Sequence, residues 1–194
     1  MAVRQSPDEV PVMDADAMRR ALTRICYEIV ERNRGAERLL LAGVRTRGAQ
    51  LAARMAERLT QVEKVAVPAV DLDVRAYRDD LSDERLEARF PAPGSGSAAN
   101  PDLPADLSGL TVVIVDDVLY TGRTTRAAMD AVMAAGRPAA VQLAVLVDRG
   151  HRELPIRADF VGKNLPTSAE EQVLVSVIEV DGRDEVAIRK AERR

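Results

Sequence analysis

Tryptophan is absent from these 194 residues, and only three tyrosines and two phenylalanines occur. The core must therefore be built from Ala, Val, Leu and Ile. A single cysteine, Cys26, excludes an internal disulfide and a thiolate-rich metal site. A single histidine, His151, excludes a multi-histidine centre. No apolar run approaches the roughly 20 residues needed to cross a bilayer, so a membrane partner is not expected. Met1 to Val12 carries Asp8 and Glu9 and has no apolar h-region, so it does not read as a secretory signal. Neither sign of charge dominates: 28 Lys and Arg face 31 Asp and Glu, for a net charge of -3. That balance gives no global pull toward nucleic acid, and any such surface must be a local patch. What remains, 46% apolar and 30% charged, is the composition of a folded cytoplasmic domain.

The chain reads as a loose leader over residues 1–13, then one domain over 14–194. Asp14 can cap a helix from about Asp16 to Arg34, with the stripe Met18, Leu22, Ile25 and Ile29 at helical spacing and Gly35 as its stop. Leu39 to Val44 is a continuous apolar run, as in a buried parallel strand. Arg45 to Gly48 is a loop, Ala49 to Leu59 a second helix, and Val65 to Asp73 a strand. From about 78 to 106 the texture turns charged and then rich in Pro, Gly and Ser, which predicts a mobile loop, disordered or a functional lid, with a tolerated insertion as the plainer alternative. Thr111 to Val115 is a second apolar strand ending in Asp116-Asp117, followed by a helix from Thr124 to Ala135. Ala140 to Val147 is a third. Beyond it helices stop: Phe160-Val161, Val173 to Val180 and Val186 to Arg189 are short strands, with Asp181-Gly182 as a hairpin turn. The repeated β–α–β order implies a central parallel sheet flanked by helices, with a small C-terminal β appendage.

Ligands of such sheets bind beyond the carboxyl ends of the strands. Val112 to Thr125 lies there, reading VVIVDDVLYTGRTT. Two carboxylates are followed by small and hydroxyl residues that open a helix. Backbone N–H groups, threonine hydroxyls and the helix N-terminus converge on one point, which suits a phosphate. The carboxylates upstream suit sugar hydroxyls. A phosphate beside a diol describes a ribose 5-phosphate. The plainer alternative is that Asp116 and Asp117 cap a turn. The P-loop pattern is missing.

This segment resembles the 5-phosphoribosyl-1-pyrophosphate (PRPP) signature of type I phosphoribosyltransferases. Gly43 to Gly48 falls where that family holds pyrophosphate, and the segment after Tyr77 falls where it has a mobile catalytic loop. Arg19 to Ile25, Asp71 to Asp73, Tyr77 to Leu81, Gln142 to Asp159, Gly162 to Asn164 and Pro166 to Ser168 narrow the resemblance. They resemble the subfamily of bifunctional pyrimidine operon attenuation regulators and uracil phosphoribosyltransferases. The resemblance implies a type I phosphoribosyltransferase fold with a C-terminal hood, and the reaction of uracil with PRPP to give UMP and pyrophosphate.

It also implies roles. Asp116 and Asp117 would hold the ribose hydroxyls, and Val118, Leu119, Tyr120, Thr121, Gly122, Arg123 and Thr124 the 5′-phosphate. Thr46 and Arg47 would bind pyrophosphate, and Arg78 would approach it as the loop closes. Mg²⁺ would be held mainly by PRPP oxygens and water, with no dedicated protein metal site. Uracil would lie near Val161 and Gly162, with Arg137 as a further contact. The alternative for Arg137 is a helix C-terminal charge. His151, among Arg149, Arg152 and Glu153, reads as structural or phosphate-edge, and Cys26 as a small buried hydrophobe.

The subfamily also binds a stem-loop of pyrimidine-operon mRNA in response to UMP. On a helical wheel Arg20, Tyr27 and Arg34 lie opposite the apolar stripe, with Thr23 and Arg24 alongside. That face suits RNA loops and phosphates, although Glu28 and Glu31 dilute it and a charged outer helix face is commonplace. The resemblance further implies at least a homodimer. Two other readings stay open: a plain uracil or purine-base phosphoribosyltransferase without RNA function, and a regulator with negligible catalysis.

Overall fold

A computed structural model describes residues 9–78 and 100–190 of the chain. The chain runs through β1 (Glu9–Asp14), α1 (Ala15–Asn33), β2 (Leu39–Val44), α2 (Arg47–Glu63) and β3 (Ala69–Leu72). A 3-10 turn (Arg75–Tyr77) follows, then β4 (Thr111–Leu119), α3 (Arg123–Ala135), β5 (Ala140–Asp148) and β6 (Phe160–Asn164). It ends with β7 (Gln172–Ser176), the single helical turn α4 (Ile178–Asp181) and β8 (Glu185–Arg189). Five strands form a parallel sheet in the order β3-β2-β4-β5-β6, and a three-stranded antiparallel sheet, β1-β8-β7, forms the hood.

Alternation along the sheet divides the core in two. Leu39, Leu41, Val113, Val115, Ala144 and Leu146 face α1 and α2, where they meet Met18, Ile25, Leu51 and Leu59. Leu40, Ala42, Val112, Ile114, Leu143 and Val145 face the other way, onto α3. With aromatics so few, small side chains bring helix and sheet close: Ala127, Ala128 and Ala131 of α3 are fully buried. The α1 cap is as expected, since the Asp14 carboxylate accepts the Ala17 N–H at 2.7 Å. The helix ends as Arg34 and Gly35 both take left-handed φ values.

Several expectations need correction. Residues 9–13 are not leader: β1 pairs with β8 from Glu9↔Arg189 to Asp14↔Glu185, so both ends of the chain build the hood. Asp116 and Asp117 do not terminate their strand, because β4 stays in register with β5 as far as Leu119↔Asp148. β6 joins the main sheet rather than the appendage. The turn at Asp181-Gly182 is the end of α4, inside a longer connection between β7 and β8. Part of the expected mobile loop is packed: Asn100 accepts the Asp73 N–H at 2.6 Å and donates to the Asp73 carbonyl at 3.1 Å. Leu103 and Leu107 are buried below α3. Residues 79–99 lie outside the described residues.

Candidate active site

The strand order reverses at β2. From β2 the chain steps outward to β3, then crosses back to β4 on the other side, so a crevice opens between the carboxyl ends of β2 and β4. Two helices begin at that crevice, α2 after β2 and α3 after β4, and neither has a side-chain cap. The Arg123 N–H donates to the Thr121 hydroxyl at 3.4 Å, and the N–H groups that follow in each first turn face an anion-binding helix start. Gly48 sets the approach of α2: a Cβ there would stand 2.5 Å from the Val115 carbonyl oxygen and 3.2 Å from the Asp116 Cα.

The carboxylate pair lies on this line. Asp116 is 7% exposed, whereas Asp117 is half-buried. Asp116 accepts the Asp117 N–H at 2.9 Å, and Asp117 accepts the Val118 N–H at 2.8 Å. Burial, and then the charge of Asp117, push the Asp116 carboxyl well above the ordinary carboxylate range.

Past the pair, Tyr120 to Gly122 turn into α3. Gly122 adopts φ 92°, open to glycine at little cost. The loop is braced by residues 149–156. The Thr121 carbonyl accepts from the Glu153 and Leu154 N–H groups at 3.0 and 3.1 Å. Arg152 donates to the Tyr120 carbonyl at 2.9 Å and pairs with Asp148. Arg123 bonds Glu153 at 2.7 Å. The Arg149 guanidinium lies 4.1 Å from the Tyr120 ring centre and donates to Thr167 and the Ser168 carbonyl. His151 meets Tyr120 edge-on and bonds the Thr167 carbonyl, consistent with its structural reading. These braces escape sequence reading because they join segments some 30 residues apart.

On the β2 flank, Thr46 is exposed just before α2, after a cis Arg45–Thr46 peptide. Arg47 leans across to the hood, where its Nε and Nη2 donate to the Asp181 carboxylate at 3.0 and 2.8 Å. Those hydrogen bonds hold the Asp181 carboxyl below its ordinary value. Arg78 is exposed after the 3-10 turn at the carboxyl end of β3, on the same edge of the sheet.

Arg137 is not at the site. It precedes β5 at the opposite edge, and nine residues of strand at about 3.3 Å each lie between. Any chain entering a parallel strand does so away from its ligand edge. Arg24 also departs from expectation. Its Nη2 donates to the Val161 and Gly162 carbonyls at 2.9 and 2.7 Å, and its Nη1 pairs with Glu28. It ties α1 to β6, the strand read as the base side, and does not stand on a detached face. Arg20, Thr23, Arg24 and Tyr27 do meet around one shallow depression of about 340 Å³, joined by Arg58 of α2, which sequence reading missed. Tyr27 is 53% exposed. Cys26 is buried as expected, and burial raises its thiol to about 12.

The phosphoribosyl transferase domain model matches residues 12–177. The chain belongs to the phosphoribosyltransferase family. Within it, the chain is 53% identical to the "Bifunctional protein PyrR" of Listeria monocytogenes over 93% of its length and 96% of the relative's. It is 55% identical to the protein of that name from Enterococcus faecalis, over 92% and 96% of the two lengths. Among solved structures it resembles a hypoxanthine phosphoribosyltransferase from Trypanosoma cruzi complexed with IMP, with a TM-score of 0.68 and 17% identity, covering 97% and 95% of the chains. The expected type I phosphoribosyltransferase fold and family are thus borne out. The full-length PyrR relatives favour the bifunctional uracil phosphoribosyltransferase and pyrimidine-operon regulator over a plain base phosphoribosyltransferase.

Proposed function

We propose that the crevice between β2 and β4 converts uracil and PRPP to UMP and pyrophosphate, and that with UMP bound the chain attenuates pyrimidine-operon transcription through an mRNA stem-loop. The carrying observation is that α2, which has no side-chain cap, starts against Val115 and Asp116 at Gly48, while α3, also without one, follows the Asp116-Asp117 strand. Backbone donors from Tyr120 to Thr124 hold the 5′-phosphate, the two carboxylates take the ribose hydroxyls, and Thr46, Arg47 and Arg78 meet the pyrophosphate. As the C1′–O bond to pyrophosphate breaks, the N1–C1′ bond to uracil forms and the N1 proton passes to water or to the departing anion. The oxocarbenium-like centre gains from carboxylates fixed beside it, and the leaving charge from the arginines.

The residues present fit Mg²⁺. Among the described residues no three ligating side chains gather, but Asp116 and Asp117 stand together at the ribose position. One or two carboxylates suffice for a cation held mainly by substrate oxygens and water. Bound there, Mg²⁺ would neutralise pyrophosphate charge. On the base side, Val161 and Gly162 offer main-chain groups to the uracil edge. Arg20, Thr23, Arg24 and Tyr27 form the RNA face. A homodimer would present that face twice, and the setting is cytoplasmic.

A uracil-conversion assay with PRPP and Mg²⁺, paired with gel shifts of the mRNA stem-loop with and without UMP, tests both halves. Uracil turnover and UMP-tightened RNA binding are expected. Turnover of a purine base in place of uracil would overturn the enzymatic half. RNA affinity indifferent to UMP would overturn the regulatory half.

A further inference from the structure

Arg47 begins α2 beside an open crevice, where a long side chain has many rotamers unless something fixes it. Asp181 fixes it. The two hydrogen bonds from Nε and Nη2 occupy one edge of the planar guanidinium. Nη1 and the remaining Nη2 N–H stay available to a second anion. Asp181 is itself immobilised: its Oδ2 accepts the Val177 N–H at 2.9 Å, and its own N–H donates to the Val177 carbonyl at 2.7 Å. Two turns along the same helix, Arg54 donates to Glu179 at 2.7 Å and to Asp184 at 2.8 Å. One hood segment is thus fastened twice to α2. Arg47 and Asp117 line the same cavity of about 280 Å³ under the hood strands. Apart from Asp181, Asp117 is the carboxylate whose charge acts on Arg47, so an unrestrained Arg47 would fall onto it and neutralise a group the ribose needs.

We propose that Asp181 is a positioning residue: it holds Arg47 off Asp117 and turns the free edge of the guanidinium toward the leaving pyrophosphate, which makes the hood part of the PRPP site. This rests on the assignment of Arg47 to pyrophosphate. Asp181 acts only through Arg47.

UMP carries the 5′-phosphate and ribose but no pyrophosphate, so it separates this role from general damage to the site. In the full chain with Mg²⁺, Asp181→Asn is expected to raise the KM for PRPP and the Kd for inorganic pyrophosphate about tenfold. The kcat should change less than threefold and the UMP Kd should not change. Asp181→Glu should recover part of the loss. Arg47→Lys keeps the charge without the fork and should reproduce the rise; it carries the test should Asp181→Asn loosen the hood. Arg54→Gln weakens the same hood segment without touching Arg47, and should leave pyrophosphate affinity alone. Equal losses for PRPP, pyrophosphate and UMP, or parent-like values throughout, would overturn the positioning role. Arg47→Ala separates the two levels. If it leaves PRPP affinity intact, the assignment of Arg47 fails and the role of Asp181 with it. If Arg47→Ala weakens PRPP while Asp181→Asn does not, the positioning role alone fails.

Discussion

Asp116 and Asp117 are chain neighbours in different surroundings, and the difference yields two measurements. Asp116 is buried, its carboxylate beside the start of α2 at Gly48, while Asp117 is half-buried and lines the cavity under the hood. Replacing both with Asn preserves shape and removes two charges, and uracil turnover should fall by about 10²-fold or more with the fold retained. The second measurement concerns stability. The folded-state pKa of Asp116 is raised, so the folded protein binds this proton more tightly than the unfolded chain. Stability is then highest below the unfolded value of about 3.9 and falls as pH rises through the folded value. Asp116→Asn abolishes that loss. Its melting temperature should exceed the parent's at neutral pH, by about 2–4 °C for each kcal/mol recovered, with the gap closing toward pH 4. A lower neutral-pH melting temperature would mean that the carboxylate stabilises the strand. The adjacent acids were legible in the sequence; their opposite burial was not, because the strand was expected to stop before them.

At the scale of elements, the site depends on how closely α2 sits on β4. Gly48→Ala would drive a methyl group into the Val115 carbonyl at 2.5 Å, with rigid backbone on both sides. The helix start must retreat, and displacement of this size costs roughly 10²-fold in a positioned reaction. Gly109→Ala is the control: nothing lies within 4 Å of its Cβ, and only its φ of 76° is strained. It should cost about 1 kcal/mol in a denaturation curve and leave turnover intact. The first helix allows a parallel comparison. Arg20→Ala should weaken stem-loop binding and lower the salt slope by about one unit, with uracil kinetics unchanged. Arg24→Ala should do more, since it also frees the Val161 and Gly162 carbonyls and so should raise the uracil KM. Equal uracil kinetics in the two variants would separate β6 from the base side. The periodicity of α1, its Asp14 cap and the apolar runs of β2, β4 and β5 were readable because each is local. The reach of Arg24 to β6 spans 137 positions, and no local pattern announces it.

At the scale of the whole molecule, the hood is where sequence reading was least informed. β7 and β8 were visible as short apolar runs, but their third strand lies at the other end of the chain. Glu9 to Asp14 contains Pro11 and a register shift between Pro11 and Met13, which hide its strand character. Charge joins the two ends as well, since Glu9 accepts from Arg189 at 2.6 Å. β1 buries Met13 in the same core cluster as Val175, Val177 and Val186. Deleting residues 1–12 should therefore do more than trim a tail. It would leave β8 as an open edge, remove the Glu9 contact and uncover part of the apolar hood face, while α1 keeps its Asp14 cap. Burial of one or two aliphatic side chains is worth about 1.5–3 kcal/mol each, so the melting temperature should drop by several degrees. Because the hood carries Asp181, the KM for PRPP should rise in the same protein, and UMP affinity should hold. An open strand edge also invites pairing with another chain, so light scattering of the truncated protein should show growth beyond the dimer expected of the parent. Unchanged melting and an unchanged PRPP KM would mean that β7 and β8 alone hold Asp181 against Arg47 and that β1 is dispensable.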